Sequence, residues 1–365
     1  MHETFSVEAL MALYSIPSIG SAKMRKLISI FNSPQAVLDA SARQLMHVEG
    51  IDHKTAEKIK SGPDEKFVRE QMELIKSHEV KILTYWDKQY PERLKRIYDP
   101  PAFLFVKGNT DCLNGTGIGV VGSRVPSTYG KIITEQFARE LVQNDFTIVS
   151  GFARGVDTIA HKTAIKNNGI TIAVLGNGVD LVYPSENVQL RSEILSKGAV
   201  ISEYPMKTNP DAVNFPKRNR IISGLSYGVL ITEAGAKSGA LITAFYALDQ
   251  NREVFSVPGP INSGKSAGTN RLIKEGAKLV QGVQDILVEL PGQINLTGKI
   301  KAAVPPPDLN GSSKVVYDLL SSEPLYIDQI AIKADLSTAE TLGVLLSLEL
   351  MNLIRQMAGK MFVRL

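Results

Sequence analysis

The sequence has 365 residues, which is more than one comfortable hydrophobic core holds and predicts two or three domains. Its hydrophobic content of 44% and charged content of 21% are typical of a globular protein, and its formal net charge of +4 permits a polyanionic partner without requiring one. The single cysteine, Cys112, excludes an internal disulfide and leaves too few thiols for a zinc site.

No targeting or membrane-spanning segment is predicted. The N-terminal residues lack the basic and then apolar pattern of an export signal. Even the apolar run from Val344 to Ile354 is interrupted by Glu349 and is too short to cross a bilayer. We therefore expect a protein of the reducing cytoplasm that does not enter membranes.

Residues 1–62 predict a helical domain made of two related units. Each unit places a glycine, Gly20 in the first and Gly50 in the second, in a short turn between helices, where a positive φ costs little. The units resemble a helix-hairpin-helix pair, a module that often holds DNA phosphates through the N–H groups of its turns. A helical bundle used only for packing fits the pattern equally well, because the nearby cations are offset by Glu49 and Asp52.

Residues 63–290 predict an α/β domain in which short apolar strands alternate with helices. This alternation is typical of βαβ crossovers and of a mostly parallel sheet covered on both faces. The predicted strands are 80–84, 102–106, 118–121, 147–149, 171–175, 199–201, 228–231 and 253–256. The main predicted helices lie near 128–143, 157–167, 186–196 and 239–249.

The C-terminal part predicts an extended linker over 291–312 and a compact, winged-helix-like domain over 313–365. Residues 341–351 are apolar nearly all round and carry Glu349 as their one charge, so we expect that helix to be buried on more than one side. A winged helix that reads duplex DNA carries Arg, Lys or Asn at this place. The domain holds five cations against six carboxylates. We therefore predict a role in protein contact or regulation.

Glycine-containing polar segments follow four of the predicted strands. In an open parallel sheet, ligands bind beyond the carboxyl ends of the strands. Gly122, Ser123 and Arg124 combine a turn, the approach to a helix and a guanidinium, a combination that can cradle an anion. Gly151 and Arg154 repeat this combination after the next strand. The four segments are 122–124, 150–157, 176–178 and 232–239.

A basic and aromatic segment covers residues 214–220 and leads directly into an apolar stretch that can anchor it. Its cations can neutralise phosphates, and the ring of Phe215 can stack on an unpaired base. Pro216 favours an extended conformation for the residue before it, so we expect the ring to be presented from an extended segment. Taken alone, the segment is also typical of a solvated basic loop ahead of a helix.

Signals for catalysis or for a nucleotide cofactor are weak. Gly117, Gly119 and Gly122 fit the pattern G-x-G-x-x-G, but the first two precede or lie within a strand and cannot wrap a pyrophosphate. His161 is typical of a structural histidine. Glu233 lies where the phosphate-binding loops converge and can act as an acid or base, or cap the following helix. There is no Walker A sequence, and we predict no cofactor, no metal and no catalytic residue.

Together, several motifs resemble the DNA-processing protein A (DprA/Smf) family over about residues 80–290. They are Tyr90-Pro91, Asp99-Pro100-Pro101, Gly122-Ser123-Arg124, residues 150–161, the run from Asn214 to Ser226, Val257-Pro258-Gly259 and Gly268-Thr269-Asn270. The resemblance implies an extended Rossmann-like domain that forms a homodimer, with the helical and winged-helix-like domains at its two ends. It also implies a bacterial, cytoplasmic, non-enzymatic protein of natural transformation. Such a protein binds incoming single-stranded DNA, protects it and loads the RecA recombinase.

The resemblance further implies roles for individual residues. Gly122, Ser123 and Arg124 would bind phosphate, and Phe215 would stack on a base. The remaining DNA-binding residues implied in this way are Lys217, Arg218, Asn219 and Arg220 of the basic pocket, and Gly151, Arg154 and Ser238 of the matched loops.

Two other functions stay open at the level of sequence. The sheet and loops also resemble the lysine-decarboxylase-like (LOG) nucleotide phosphoribohydrolases, in which Glu233 would do acid–base chemistry. However, the segment around Glu233 lacks the glycine-rich motif of those enzymes. The other possibility is a scaffold whose terminal domains recruit partners while the sheet binds a small anion.

Overall fold

The N-terminal domain consists of short helices that pack around one hydrophobic cluster. In the computed structural model, which describes residues 5–290, 309–321, 324–351, 353–357 and 359–364, these helices precede a large sheet. They are α1 (Val7–Ser15), α2 (Ser21–Phe31), α3 (Pro34–Asp39), α4 (Ala42–Met46), α5 (His53–Lys60) and α6 (Glu65–Ser77). The last of these, α6, lies beyond the predicted domain boundary at residue 62, but Val68 in it packs into the same cluster. Buried side chains such as Leu13 of α1, Leu27 of α2 and Ala56 of α5 share the cluster. The predicted helical domain is therefore present.

The two helical hairpins differ in how their turns are built. Gly50 has the expected positive φ of 87°, but Gly20 has φ −98° and serves as the N-cap of α2. The left-handed residue of the first turn is instead Ser18, with φ 79°. The expectation of a left-handed glycine is thus correct for the second hairpin and wrong for the first. An ion pair of 2.7 Å between Lys26 and Glu49 joins the two hairpins.

Nine strands of the described chain form one sheet in the order β1-β2-β6-β5-β4-β3-β7-β8-β9. All neighbouring pairs from β6 to β9 in this order are parallel, whereas β2 is antiparallel to both β1 and β6. The strands are β1 (Lys81–Thr84), β2 (Phe103–Gly108), β3 (Gly117–Val121), β4 (Thr147–Ser150), β5 (Thr171–Leu175), β6 (Ala199–Ser202), β7 (Ser226–Ile231), β8 (Glu253–Ser256) and β9 (Lys278–Leu279). The predicted mostly parallel sheet is confirmed.

Helices cover both faces of this sheet because successive strand residues point to opposite sides. Val120 packs in one cluster with Phe137 of α8, while the adjacent Val121 packs in another with Ile222 of α11. The helices of this domain are α7 (Glu92–Lys95), α8 (Thr128–Gln143), α9 (Val156–Lys166), α10 (Val188–Leu195), α11 (Asn214–Leu225), α12 (Ala240–Asp249), α13 (Ala267–Lys274) and α14 (Val283–Glu289).

The order of the strands reverses between β3 and β7. From β3 the chain proceeds through β4, β5 and β6 in one direction, and from β7 it proceeds through β8 and β9 in the other. Loops that leave the carboxyl ends of β3 and β7 therefore diverge and open a crevice, which is where open α/β sheets bind ligands.

The helical domain is anchored to the sheet domain through α6. The side-chain amide of Gln71 donates to the carbonyl of Met206 at 3.2 Å and accepts from the N–H of Met206 at 2.9 Å. Phe103 and Phe105 of β2 also belong to the hydrophobic cluster of the helical domain. A buried polar contact and a shared core thus join α6 to residues of the sheet domain.

The C-terminal domain has the helix and strand order of a winged helix. Its elements are α15 (Ser312–Leu319), β10 (Leu325–Tyr326), α16 (Ile327–Ala334), α17 (Thr338–Leu350), β11 (Ile354–Met357) and β12 (Met361–Arg364). The strands pair in the order β10-β12-β11. Most of the predicted linker, residues 291–308, lies outside the described residues, and α15 begins at its last residue. No helix in the described ranges is both long and apolar enough to span a membrane.

The prediction that the helix over 341–351 is buried on more than one side is wrong. Thr341, Leu345 and Leu348 of α17 are buried, whereas Leu342 and Leu346 on the opposite face are more than half exposed. The apolar sequence alone could not distinguish a helix enclosed by its domain from one that leaves an apolar face uncovered.

Candidate nucleic-acid interface

A cleft of about 800 Å³ lies at the carboxyl ends of the strands beside the β3–β7 reversal, and we call it the rim pocket. Its lining comes from the segments that follow β3, β4, β5, β6 and β7, from α11 and from the N-terminal half of α12. Of the predicted site residues, it brings together Gly122, Ser123, Arg124, Phe215, Arg218, Asn219 and Ser238. Gly151, Arg154, Lys217 and Arg220 are not part of its lining.

Close backbone contacts hold the loops of the rim pocket together. The N–H of Ser123 donates to the carbonyl of Glu233 at 2.8 Å, and the N–H of Val156 donates to the carbonyl of Ser123 at 3.1 Å. A Cβ on Gly122 would lie 2.8 Å from the Glu233 carbonyl oxygen. A Cβ on Gly155, which has φ 78°, would lie 2.3 Å from the Ser123 carbonyl oxygen. The small residues are required because three loops meet without room for side chains.

Glu233 occupies the N-terminus of α8. Its carboxylate accepts a hydrogen bond from the N–H of Ser127 at 2.9 Å and another from the Ser127 hydroxyl, and it is 2% exposed. A Cβ on Gly130 would lie 2.8 Å from the same carboxylate. The expected cradle formed by the 122–124 turn and the next helix start is therefore already filled by an anion of the protein itself. Of the alternatives for Glu233, capping is the one seen, and the capped helix is α8 and not the one that follows.

The basic segment is helical from its first residue, which corrects the expectation of an extended conformation. α11 begins at Asn214, so Phe215 and Pro216 lie in its first turn. Proline is tolerated there because the first N–H groups of a helix have no intrahelical acceptor. The N-cap residues of α11 and α12, Val213 and Gly239, make no side-chain capping hydrogen bond. Local acceptors nevertheless hold the N–H groups of the first turn of α12: Ala240 donates to the Ser238 hydroxyl at 3.3 Å, and Leu241 and Ile242 donate to the carbonyls of Ser238 and Gly239.

The aromatic ring of Phe215 is half-buried at the edge of the rim pocket. One ring edge approaches Gly176 so closely that a Cβ there would lie 2.8 Å from Cδ1 of the ring. The ring of Tyr183 lies 5.6 Å away, centroid to centroid, at an interplanar angle of 36°. The guanidinium carbon of Arg124 lies 6.0 Å from the centroid of Phe215. The structure therefore brings together the aromatic and the cation that the sequence placed in separate motifs.

Three cations of the pocket loops and of α11 are exposed and make no ion pair within the described residues: Arg124, Lys217 and Lys237. Arg124 and Lys237 line the rim pocket together with Phe215, whereas Lys217 lies in the first turn of α11 and is not part of the lining. Uncompensated cations beside an aromatic ring are the combination that binds a nucleic-acid backbone and its unpaired bases.

Arg218 lies under the pocket and is 4% exposed. One of its terminal nitrogens donates to the carbonyl of Gly151 at 2.6 Å and also to the carbonyl of Val174. Burial lowers the pKa of Arg218 to about 10, while the attraction of Asp157 opposes this shift. A Cβ on Gly151 would lie 2.7 Å from both Arg218 and Asp157, which explains the glycine. Arg218 thus braces the ends of β4 and β5.

Arg220 and Arg154 are each engaged by a carboxylate. The Arg220 guanidinium makes a two-pronged contact with Glu203 at 2.6 and 2.7 Å, and both side chains are almost fully buried. Arg154 makes a similar fork with Glu186 at 2.7 and 2.8 Å, but on the surface. The geometry of Arg220 does not fit the predicted phosphate contact, because its donors point into the protein.

Two titratable groups beneath the pocket have strongly shifted pKa values. The Asp157 carboxylate accepts from the N–H groups of Gly151 and Ala153, and burial raises its pKa to about 6 against the attraction of Arg218. His161 is fully buried, and burial together with the charge of Arg218 lowers its pKa to about 3. The Thr171 hydroxyl donates its proton to the carbonyl of Ile148 at 2.8 Å. It can therefore only accept from His161, which places the ring proton of the histidine on Nδ1. The histidine is neutral and structural, as its sequence context indicated.

Two pocket residues were missed by sequence reasoning, Tyr183 and Lys237. Tyr183 lies in a loop with no basic neighbour, and only its contact with Phe215 identifies it. Lys237 lies in the glycine-rich segment 232–239, which was singled out for its backbone and not for its cation. Within the described ranges, no group of three or more His, Cys, Asp and Glu side chains is placed to hold a metal ion.

The sequence matches three known protein families, one for each domain. Residues 81–291 match the DNA recombination-mediator protein A family, residues 10–62 match the SAM-like helix-hairpin-helix tandem, and residues 301–360 match the DprA winged helix domain. The protein Smf of Synechocystis is 34% identical over 97% of this chain and 98% of its own length. The DNA processing protein DprA of Bacillus subtilis is 46% identical over 56% of this chain and 69% of its own length.

Two solved structures have the same fold. The DNA processing protein A of Streptococcus pneumoniae superposes with a TM-score of 0.69 at 35% identity, and the match covers 78% of this chain and 99% of that one. The DNA processing protein A of Helicobacter pylori, solved to describe its single-stranded DNA-binding mode, gives a TM-score of 0.53 at 32% identity. That match covers 59% of this chain and 98% of that one.

Proposed function

Because this chain belongs to the DNA recombination-mediator protein A (DprA/Smf) family, we propose that it binds single-stranded DNA in the rim pocket, without sequence preference, protects the strand and delivers it to the RecA recombinase. It acts in the cytoplasm during natural transformation or recombination, and it acts by binding and not by catalysis. The observation that carries the proposal is the meeting of Arg124, Phe215 and Lys237 at the β3–β7 reversal.

In this proposal, phosphates contact the free cations Arg124, Lys217 and Lys237, and an unpaired base stacks on Phe215. Gly122 and Ser123 are small and let the sugar–phosphate backbone of the DNA approach the β-sheet. Asn219 and Ser238 supply neutral hydrogen-bonding groups within the pocket. Gly151, Arg154, Arg218 and Arg220 are left out of the proposed contacts, since they brace loops or are already paired.

An exposed apolar face on α12 supports a protein partner beside the DNA. Ile242, Phe245 and Leu248 are 36%, 44% and 53% exposed, and Ile242 also lines the rim pocket. We assign this face to the recombinase, because a strand held in the pocket would then lie next to its recipient. Phe245→Ser should abolish the stimulation of RecA filament formation while leaving DNA affinity within about twofold of wild type, since it removes apolar contact area and no phosphate contact.

The edge of the sheet that is formed by β9 supports a homodimer. β9 is the terminal strand of the sheet order, and Leu279 in it is 41% exposed. An exposed edge strand that carries an apolar side chain favours pairing with another chain. In this proposal two Rossmann-like domains meet at this edge. Leu279→Lys should convert the protein to monomers in sedimentation velocity, whereas Ile170→Lys, at an exposed residue away from this edge, should not.

The nucleotide-hydrolase alternative finds less support. Glu233 is buried and its carboxylate already holds the start of α8, so neither oxygen is free to act on a substrate in the pocket. Incubation with nucleoside monophosphates should release no free base. Release that disappears in Glu233→Gln would establish the enzyme instead.

The decisive experiment is a titration with single-stranded and duplex oligonucleotides at two salt concentrations. We expect tighter binding of the single strand and a steep loss of affinity with salt. Equal affinity for single strand and duplex would contradict the proposed function. Binding of free mononucleotides as tight as that of an oligonucleotide would identify the small-anion scaffold.

A further inference from the structure

Asp157, in the first turn of α9, is a buried carboxylate that lines the rim pocket. Its side chain is 6% exposed, and Oδ2 accepts from the N–H groups of Gly151 and Ala153 at 3.1 and 3.3 Å. Oδ1 makes no hydrogen bond within the described residues, yet it is not sealed from solvent. Holding the turn before α9 therefore uses only one oxygen, and the other remains for a ligand in the pocket.

Charged and polar groups of the neighbouring elements surround Asp157. Arg218 of α11 lies close by, because a Cβ on Gly151 would be 2.7 Å from both side chains. Its charge attracts the carboxylate, but burial outweighs this attraction and raises the pKa of Asp157 to about 6. The hydroxyl of Ser150, at the end of β4, donates to a backbone carbonyl of β3 at 2.6 Å and not to the carboxylate. His161, one turn further along α9, is neutral because burial lowers its pKa to about 3.

An anion that enters the rim pocket meets Asp157 as a like charge. Arg124 and Lys237 line the pocket and attract the anion. The carboxylate of Glu233 is turned to the start of α8, and that of Glu186 is paired with a guanidinium on the surface. A phosphate drawn to the two cations therefore approaches the buried carboxylate of Asp157. Two like charges that share one site of low dielectric cannot both stay ionised without a large cost.

We propose that a phosphate group of the bound strand enters the rim pocket together with a proton from solvent, which Asp157 takes up, so that its carboxyl donates through Oδ1 to a phosphate oxygen. This inference rests on the proposed function, because it assigns the chemistry of the same site. Oδ2 keeps its two backbone hydrogen bonds, so the protonated carboxyl is oriented without any movement of the loop. Burial keeps such a carboxylic acid neutral and able to donate. The phosphate keeps its own charge for Arg124 and Lys237.

The pH dependence of binding follows from the pKa of Asp157 in the free and bound protein. In the free protein this pKa is about 6, and a bound phosphate raises it further because it disfavours the ionised carboxyl. Between the two values the complex binds more protons than the free protein, so the affinity for DNA rises as the pH falls. A further shift of about one unit gives a rise in affinity of about fivefold between pH 8 and pH 6, and about half a proton is taken up per site near pH 6.5.

Isothermal titration calorimetry of the full chain measures the proton directly and needs no variant. The probe is a thymidine oligonucleotide with hydroxyl ends, because a terminal phosphate itself titrates near about pH 6 and thymine carries no amino group. Titrations at pH 6.5 in two buffers of different ionisation enthalpy should reveal uptake of at least about half a proton per bound site. The Kd should also tighten about fivefold from pH 8 to pH 6 at constant ionic strength.

Asp157→Asn is the matched variant. Its amide keeps an acceptor for the two backbone N–H groups and replaces the proton by a permanent donor. The variant should bind at pH 8 about as tightly as the wild type binds at pH 6, and its Kd should change by less than about twofold between them. His161→Gln, at the other titratable group beneath the pocket, should keep the pH dependence of the wild type, because this histidine stays neutral throughout the range.

The contrary outcomes separate this inference from the proposed function. Binding of the strand without proton uptake, or a pH dependence that survives in Asp157→Asn, would overturn the inference and leave the proposed function intact. A preference for cytosine-rich strands that is lost in Asp157→Asn would also overturn it, because the carboxylate would then accept from the amino group of a base. If the chain binds no single strand at any pH, the proposed function fails, and the inference fails with it.

Discussion

The guanidinium carbon of Arg124, in the loop after β3, lies 6.0 Å from the centroid of the Phe215 ring, in the first turn of α11. The cation and the ring come from segments that are far apart in the sequence, and the fold alone brings them together. This pair offers a charge for a phosphate and a flat surface for the neighbouring base. Substitutions at these two residues, and at the buried groups beneath them, distinguish DNA contact from support of the fold.

The ring of Phe215 should contribute stacking energy to DNA binding. Phe215→Ala should weaken single-stranded DNA binding by about 1–3 kcal/mol, which corresponds to roughly 5- to 140-fold in Kd. Phe215→Tyr should keep most of the affinity, because the ring remains. Fluorescence anisotropy with a labelled oligonucleotide measures the change, and Tyr98→Ala, at a fully exposed tyrosine, is the control that should bind normally. An unchanged Kd for Phe215→Ala would contradict stacking.

The free cations should determine the salt dependence. Arg124→Gln and Lys237→Gln should each lower the slope of log K against log salt concentration by about 0.7, equally for all base sequences, because each neutralises one phosphate. Arg154→Gln is the matched control. Its guanidinium is already paired with Glu186, so its effect on the slope should be smaller. Equal effects of all three variants would show that general charge and not the pocket controls binding.

The buried ion pair of α11 should contribute to folding and not to DNA contact. Arg220→Leu leaves the carboxylate of Glu203 buried without its partner, and it should lower the free energy of unfolding by about 3–5 kcal/mol. The double variant Arg220→Leu/Glu203→Leu should recover part of this loss. Urea denaturation measures both. Arg96→Leu, which removes an exposed pair with Glu92, should change stability far less. A fully stable Arg220→Leu variant with weakened DNA binding would reverse our assignment.

Stability should fall on acidification because of His161. Its folded pKa of about 3 lies below the ordinary value of 6.5, so the unfolded state binds more protons between these values and becomes favoured as the pH falls below 6.5. Asp157 acts in the opposite direction. Its folded pKa of about 6 lies above the ordinary 3.8, so its contribution to stability decreases as the pH rises through that window. Comparing His161→Gln with wild type by urea denaturation from pH 7 to pH 5 isolates the histidine. The variant should show the smaller loss, and parallel pH profiles would exclude a role for His161.

The strands and the main loops could be predicted because their signals are local. Apolar runs such as 118–121 and 171–175 coincide with β3 and β5, since a strand covered on both faces must be apolar along its length. Gly122, Ser123 and Arg124 were found for the same reason, because the turn follows directly from the strand. Position at a strand end is a property that the sequence carries by itself.

The hydrogen-bond and ion-pair partners of a buried side chain could not be predicted, because they come from residues that are distant in the sequence. Arg218 and Arg220 appear in the sequence as members of a basic cluster, but Gly151 and Glu203 face them in the fold. The helical start at Asn214 was missed because Pro216 disfavours a helix before it, except within a first turn. The exposed leucines of α17 were missed because an apolar helix gives no indication of which face its own domain covers.

The bracing of the pocket floor by Arg218 affects how binding free energy is divided between enthalpy and entropy. Its guanidinium is immobilised on two carbonyl oxygens when the protein folds, so no rotamer freedom is lost there when a ligand arrives. The exposed side chains of Arg124 and Lys237 lose their rotamer freedom only when the ligand binds. Calorimetry should therefore assign the entropic cost of association to the outer cations, while the floor of the cleft behaves as a preorganised surface.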